Sequence, residues 1–240
     1  MDCKSLWVEE NNIPFRKKYT RPQHSVVYED CFFNVDNIDI LSSKPESLTI
    51  VGEDHINDKL HISDVYNVYS DGGSFNNGGR DKDLPVFGST ATIVTRNGKE
   101  IWKHKKAKED VTNNYCELKA GILGVKYILE KCNPALGSVI IMNSDSQYLM
   151  KGINEWLANW VKRGWKNNEG NPVSNAKLWK MVEKYINDKS FSLLTCWVRG
   201  HQEVGDSKVV EYNNECDYMC NEALNDILLE NGLPTRKLKR

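Results

Sequence analysis

Val68-Tyr69-Ser70-Asp71-Gly72-Gly73 reads as a short apolar strand that ends in a carboxylate and then breaks at two glycines. An aspartate so placed projects at the edge of a sheet, where other segments can bring acids to meet it. Three further acids stand at predicted strand ends or on inward faces of predicted helices: Glu117, Asp145 and Asp217. Gathered carboxylates repel one another unless cations sit between them, so the set reads as a divalent-metal site.

Downstream of Asp71 the sequence predicts a glycine-rich loop from Gly72 to Gly79, then an apolar strand from Val86 to Thr95. The loop lacks the spacing and the lysine of a phosphate-binding loop and reads as an ordinary connection. Asn97-Gly98 is a tight-hairpin signal, and Ile101-Trp102 opens the returning strand. Three strands joined in this way form an antiparallel meander.

Thr112-Asn113-Asn114 precedes a helix whose apolar stripe is Leu118, Ile122, Val125 and Leu129. Thr112 fits a helix cap, and Glu117 taken alone fits a first-turn acid facing the helix dipole. Ser138 to Met142 is a continuous apolar run, expected of a strand covered on both faces, and it ends at Asn143-Ser144-Asp145. Alternation of helix and strand here implies parallel pairing, and ligands of such sheets collect beyond the carboxyl ends of the strands.

Trp156, Trp160 and Trp165 fall within ten residues, interleaved with Lys162, Arg163 and Lys166. Core packing is one reading, expected of at least one of these rings; the other is a stacking and cationic platform for a nucleic-acid strand. A further helix follows Asn175, with Leu178, Met181, Val182 and Tyr185 as its expected buried stripe. Phe191 to Val198 is another buried strand, and Arg199-Gly200-His201 follows it. A long polar loop is expected from Gln202 to Tyr212, with Glu203 and Asp206 as candidate extra acids. The last helix turns Cys220, Ala223, Leu224 and Ile227 inward, and Asp217 with them. Cys216 and Cys220 have no histidine partners and read as core thiols rather than zinc ligands.

In order, these blocks resemble a type 1 ribonuclease H. They are Tyr69-Ser70-Asp71-Gly72, Thr112-Asn113-Asn114 with Glu117-Leu118, Ser144-Asp145-Ser146-Gln147-Tyr148, Gly152-Ile153 with Trp156, Trp160 with Lys162-Arg163-Gly164-Trp165-Lys166, Pro172-Val173 with Asn175, Leu178-Trp179, Gly200-His201, and Asn214-Glu215 with Asp217. The resemblance spans about residues 63 to 230. It implies an α/β fold of the RNase H type: a five-stranded mixed sheet, three strands antiparallel and two parallel, flanked by helices. It also implies that the Trp156 to Lys166 segment is the family's basic protrusion.

The implied activity is hydrolysis of the RNA strand of RNA/DNA hybrids, leaving 5′-phosphate and 3′-hydroxyl ends, with little sequence preference. An all-oxygen ligand set favours Mg²⁺, or Mn²⁺ in its place, and two ions roughly 3.5–4 Å apart are expected. By resemblance Asp71 bridges both ions, Glu117, Asp145 and Asp217 complete the site, and His201 assists proton movement and product departure. Asn113, Asn114 and Gln147 carry amides suited to reading a 2′-hydroxyl. Trp156 and the segment Lys162, Arg163, Trp165 and Lys166 are expected to hold the DNA strand, and Thr112 and Asn175 to bind a DNA phosphate. Two rivals stand beside this reading: a catalytically silent nucleic-acid-binding domain, and a DNA nuclease or strand transferase on the same fold. The four acids oppose the first, and the paired asparagines, the glutamine and the Trp/Lys segment oppose the second.

The rest of the chain bounds the reading loosely. Its 240 residues suit one domain plus an appendage, and a net charge of −1 says nothing of nucleic acid by itself. Seven cysteines without a CxxC pair and no leader read as reduced thiols in the cytoplasm, and no apolar run is long enough to span a membrane; a monomer without a small-molecule cofactor is expected. Residues 1–62 read as an extension adding one or two short strands; its basic run Arg16 to Arg21 could alternatively touch nucleic acid. Residues 63–232 are the expected catalytic domain and 233–240 a basic tail.

Overall fold

The computed structural model describes residues 64–135, 138–188, 191–200 and 208–238, together with five short strands nearer the N-terminus. Its centre is a mixed sheet. Strands β1 (Val65–Phe75), β2 (Phe87–Arg96) and β3 (Lys99–Glu109) form the antiparallel meander. Helix α1 (Asn113–Tyr127) then carries the chain to β4 (Ser138–Ser144), which pairs parallel with β1. Helix α2 (Gln147–Lys151) widens into a π turn over Gly152–Trp156 and resumes as α3 (Leu157–Lys162). Helix α4 (Ala176–Ile186) leads to β5 (Phe191–Trp197), parallel to β4, and α5 (Lys208–Glu230) closes the fold. The order across the five strands is β5-β4-β1-β2-β3.

This is the five-stranded arrangement of three antiparallel and two parallel strands that the sequence implies. Two N-terminal strands extend it: Ser25–Glu29 lies parallel beside β5, and Arg16–Arg21 pairs antiparallel with Ser25–Glu29. The other three, Lys4–Ser5, Thr49–Val51 and Leu60–His61, form a separate small sheet.

Helices cover both faces of the central sheet, which is why its middle strands are apolar at consecutive positions. Tyr66, Val68, Ile140 and Met142 face a core shared with Leu118, Ile122 and Val125 of α1 and with Leu149, Ile153 and Trp179. Tyr69, Ala91 and Ile93 face the opposite way, onto Val209, Cys216 and Cys220 of α5. The hairpin turn forms where expected: Asn97 and Gly98 both take positive φ, at 48° and 77°, as a tight two-residue turn requires. The Asn97 side chain also accepts a hydrogen bond from the Val65 backbone at 2.9 Å, tying the turn to the start of β1.

Three local expectations need correction. Strand β1 does not break at Gly72 and Gly73; it runs on to Phe75, with Gly72 opposite Thr90 and Gly73 opposite Ser89. The buried stripe of α4 is centred on Trp179, Val182 and Ile186, while Leu178, Met181 and Tyr185 are only partly covered. Finally, α5 starts at Lys208, so much of the expected loop to Tyr212 is helix. Among the described residues no helix is long and apolar enough to cross a membrane.

Candidate active site

The site lies where the parallel half of the sheet comes apart. The last pair between β1 and β4 is Tyr69 with Asn143; Asp71 and Asp145 each stand two residues beyond it. Strand β1 stays paired to β2 past this point, so Asp71 keeps a rigid support on one side and an open gap on the other. Into that gap α1 delivers Glu117. Oxygen atoms of Asp71, Glu117 and Asp145 all lie within 4.8 Å of one another.

Close approach of α1 depends on Gly72. A β-carbon there would lie 2.2 Å from the backbone nitrogen of Glu117 and 2.6 Å from the carbonyl carbon of Cys116. Thr112 caps the helix, its hydroxyl accepting from the Tyr115 N–H at 3.3 Å. The Asn113 amide donates to Glu117 Oε1 at 3.3 Å, and its carbonyl accepts from the Ser74 hydroxyl at 3.2 Å. Asn113 is thus an orienter of Glu117, its neighbour at i+4 on the same helix. On the other side, Trp197 donates from Nε1 to the Asp145 carbonyl at 3.1 Å, and Gly200 lies against the Asp145 carboxylate. A β-carbon at Gly200 would be 2.4 Å from Asp145 Oδ2.

Asp71 and Glu117 are each only 8% exposed. Burial, then repulsion from Asp145 and Asp217, pushes the Asp71 carboxyl up to about 7, although the Gly72 N–H and the Cys220 thiol favour its charge. Burial, then repulsion from Asp71 and Asp145, raises Glu117 well above the ordinary carboxylate range. Glu117 Oε2 is buried without a hydrogen-bond partner. A buried, unpartnered carboxylate oxygen beside two more carboxylates is costly as it stands, and an all-oxygen set of this kind fits a hard divalent cation. Asp217, on α5, is close enough to Asp71 to repel it but lies outside the tight group of three. Its Oδ1 accepts from the Asn221 amide at 3.0 Å.

The remaining expected residues spread outward from this cluster. Thr112, Asn114 and Gln147 are exposed on the first turns of α1 and α2. Asn175, with positive φ, donates to the Tyr148 hydroxyl at 3.2 Å, and the same hydroxyl accepts from Trp179 Nε1 at 3.0 Å. Trp156 and Trp160 are half-buried and pack tilted on one another at 5.8 Å, with Trp160 edge-on to Trp179. Trp165 is half-buried too, with Lys180 over its ring at 5.3 Å, whereas Lys162, Arg163 and Lys166 are exposed. His201, Glu203 and Asp206 lie outside the described residues.

With this geometry in place, the likeness to known proteins is specific. The sequence profile of the family described as RNase H matches residues 63–225, more than half of the chain. The chain belongs to the RNase H family. It is 37% identical over 142 residues to the ribonuclease H of Pseudomonas entomophila, covering 58% of this chain and 84% of that one. The ribonuclease H of Clostridium botulinum is 33% identical over 160 residues, covering 66% of this chain and 95% of the other. The solution structure of the foamy virus (PFV) RNase H domain superposes with a TM-score of 0.50 at 18% identity, covering 66% and 93%. The crystal structure of the prototype foamy virus protease-reverse transcriptase gives 0.54 at 16% identity, over 72% of this chain and 22% of that longer one. These structural likenesses speak for the RNase H fold, and the acidic cluster supports metal-dependent hydrolase chemistry on it.

Proposed function

We propose that this chain is a type 1 ribonuclease H, an endonuclease that cuts the RNA strand of RNA/DNA hybrids and leaves 5′-phosphate and 3′-hydroxyl ends. The carrying observation is the meeting of Asp71, Glu117 and Asp145 within 4.8 Å at the open end of the parallel strands, with Glu117 Oε2 buried and unpartnered. These three carboxylates, joined by Asp217, would hold the metal. When bound, a pair of Mg²⁺ ions, or Mn²⁺ in their place, supplies the positive charge that activates water and neutralises the leaving 3′ oxygen.

The chain's own residues do the rest. Asn113 and the Gly72 N–H keep Glu117 turned toward Asp71. Asn114 and Gln147 offer exposed amides, donor and acceptor together, to a 2′-hydroxyl, the group that separates RNA from DNA. Thr112 and Asn175 serve a DNA phosphate. Trp156 supplies a stacking or packing surface to the DNA strand. Around Trp165, Lys162, Arg163 and Lys166 supply charge, as the family's basic protrusion would. His201 follows Gly200, which touches Asp145, and in this reading it moves protons and helps product leave. Binding through backbone and 2′-hydroxyl implies little sequence preference. We place the enzyme in the cytoplasm, acting as a monomer.

One assay tests the reading: RNA/DNA hybrid, duplex RNA and duplex DNA offered side by side with Mg²⁺. Cleavage confined to the RNA strand of the hybrid is expected. Cutting of duplex DNA, or no cutting of any substrate, would reject it.

A further inference from the structure

The segment after α5 returns along the helix toward the site. Leu233 packs with Phe87, Leu224 and Leu228. Three residues on, the Arg236 backbone is clamped by Asn225: the Arg236 N–H donates to Asn225 Oδ1 at 2.8 Å, and Asn225 Nδ2 donates to the Arg236 carbonyl at 2.9 Å. This clamp aims the Arg236 guanidinium at two targets. One nitrogen donates to the Ser74 carbonyl near the end of β1, and another to Asn221 Oδ1 on α5 at 3.4 Å.

Both targets lead to the acidic cluster. Asn221 Nδ2 donates to the Asp217 carboxylate at 3.0 Å and to the Asp217 carbonyl at 2.9 Å. The hydroxyl of Ser74 donates to Asn113, whose amide donates to Glu117. The orientation of the Asn221 amide is decisive. Turned the other way, its oxygen would face the carboxylate of Asp217 and its NH₂ would face a guanidinium, two repulsive contacts in place of two attractive ones. The guanidinium therefore selects the amide orientation that steadies Asp217, and it also ties α5 to the end of β1.

We propose that Arg236 is a positioning residue for the metal site, acting on Asp217 through Asn221 while bracing Ser74, so that the C-terminal segment is part of the active-site architecture. This rests on the metal-site reading above. Groups that orient metal ligands typically change metal affinity 10–100-fold, roughly, when removed.

The test is calorimetric titration of Mn²⁺ into the substrate-free full chain, for wild type, Arg236→Ala, Asn221→Ala and the double variant, with melting temperatures alongside. The expected result is Mn²⁺ affinity weakened by about tenfold in each single variant. The double variant should lose less than the two singles added together, because the route through Asn221 to Asp217 is shared. Melting temperature should stay near wild type for Arg236→Ala, whose side chain is exposed. Unchanged Mn²⁺ affinity in Arg236→Ala, or losses that add in the double variant, would overturn the proposal. So would an affinity loss that only tracks the folded fraction. A wild-type chain that binds no Mn²⁺ would instead overturn the metal reading on which it rests.

Discussion

Gly72 and Glu117 touch through their backbones: the α-carbon of Gly72 presents no side chain to the Glu117 amide, and a β-carbon would stand 2.2 Å from that nitrogen. The contact sets how deeply α1 is seated and therefore where the Glu117 carboxylate meets Asp71. Backbone cannot yield as a flexible side chain can. Gly72→Ala should lift the first turn of α1, destabilise the protein by about 1–3 kcal/mol or more, and cost activity beyond the loss of folded protein. Denaturant unfolding and turnover measured together check this; an alanine variant with wild-type stability and rate would show that the helix is not held by that contact.

Asp145→Asn keeps the shape of the side chain and removes its charge. Cleavage of an RNA/DNA hybrid should fall to background while hybrid binding survives, because the substitution leaves the exposed Lys162, Arg163 and Lys166 untouched. Gel-shift and cleavage assays on the same preparation separate the two. Retained Mg²⁺-dependent turnover would reject Asp145 as a ligand.

Proton linkage makes a third prediction. In the metal-free protein Asp71 titrates near 7 rather than at its ordinary 3.8, and Glu117 is displaced in the same direction. The folded state therefore holds protons that the unfolded chain releases as pH rises from about 4 toward 7. The contribution of these groups to stability is favourable at low pH and is lost across that window. Divalent cations bind the deprotonated carboxylates and should restore it. The rise in melting temperature on replacing EDTA by Mg²⁺ should be clearly larger at pH 8 than at pH 5, and an equal rise at both would contradict the linkage.

Much of this arrangement is legible in the sequence because its causes are local. The strand that carries Asp71, the Asn97-Gly98 turn, the stripe of Leu118, Ile122 and Val125, and the strand end before Asp145 each follow from periodicity or turn chemistry. What escapes such a reading depends on groups distant in sequence. Gly72 and Gly73 resemble a break because glycine favours turns, yet Gly72 is needed where α1 crosses β1. Trp179 stands in the sequence only as part of a motif, although Gly152, which opens the π turn after α2, lets the backbone lie against its ring, and the ring is fully buried at the centre of its helix face. The return of Arg236 to Asn221 has no sequence signature, since geometry alone joins the two, whereas Asn113 and Glu117 stand at i and i+4 on one helix, a spacing that sequence does show.

The basic segment makes the fourth prediction. Lys162, Arg163 and Lys166 are exposed, so neutralising all three should leave the fold intact. Hybrid binding should weaken, and the slope of log affinity against log salt should flatten by up to about 0.9 for each phosphate that is no longer neutralised. An unchanged slope would place the nucleic acid elsewhere.

The most direct measurement is electron paramagnetic resonance of Mn²⁺ mixed with the protein in the absence of nucleic acid. If Asp71, Glu117 and Asp145 share one cation-binding volume, wild-type protein should quench the sharp signal of free aqueous Mn²⁺ in a saturable way. Asp71→Asn, equally folded, should leave that signal largely intact. Equal quenching by both proteins, or none by the wild type, would contradict the account.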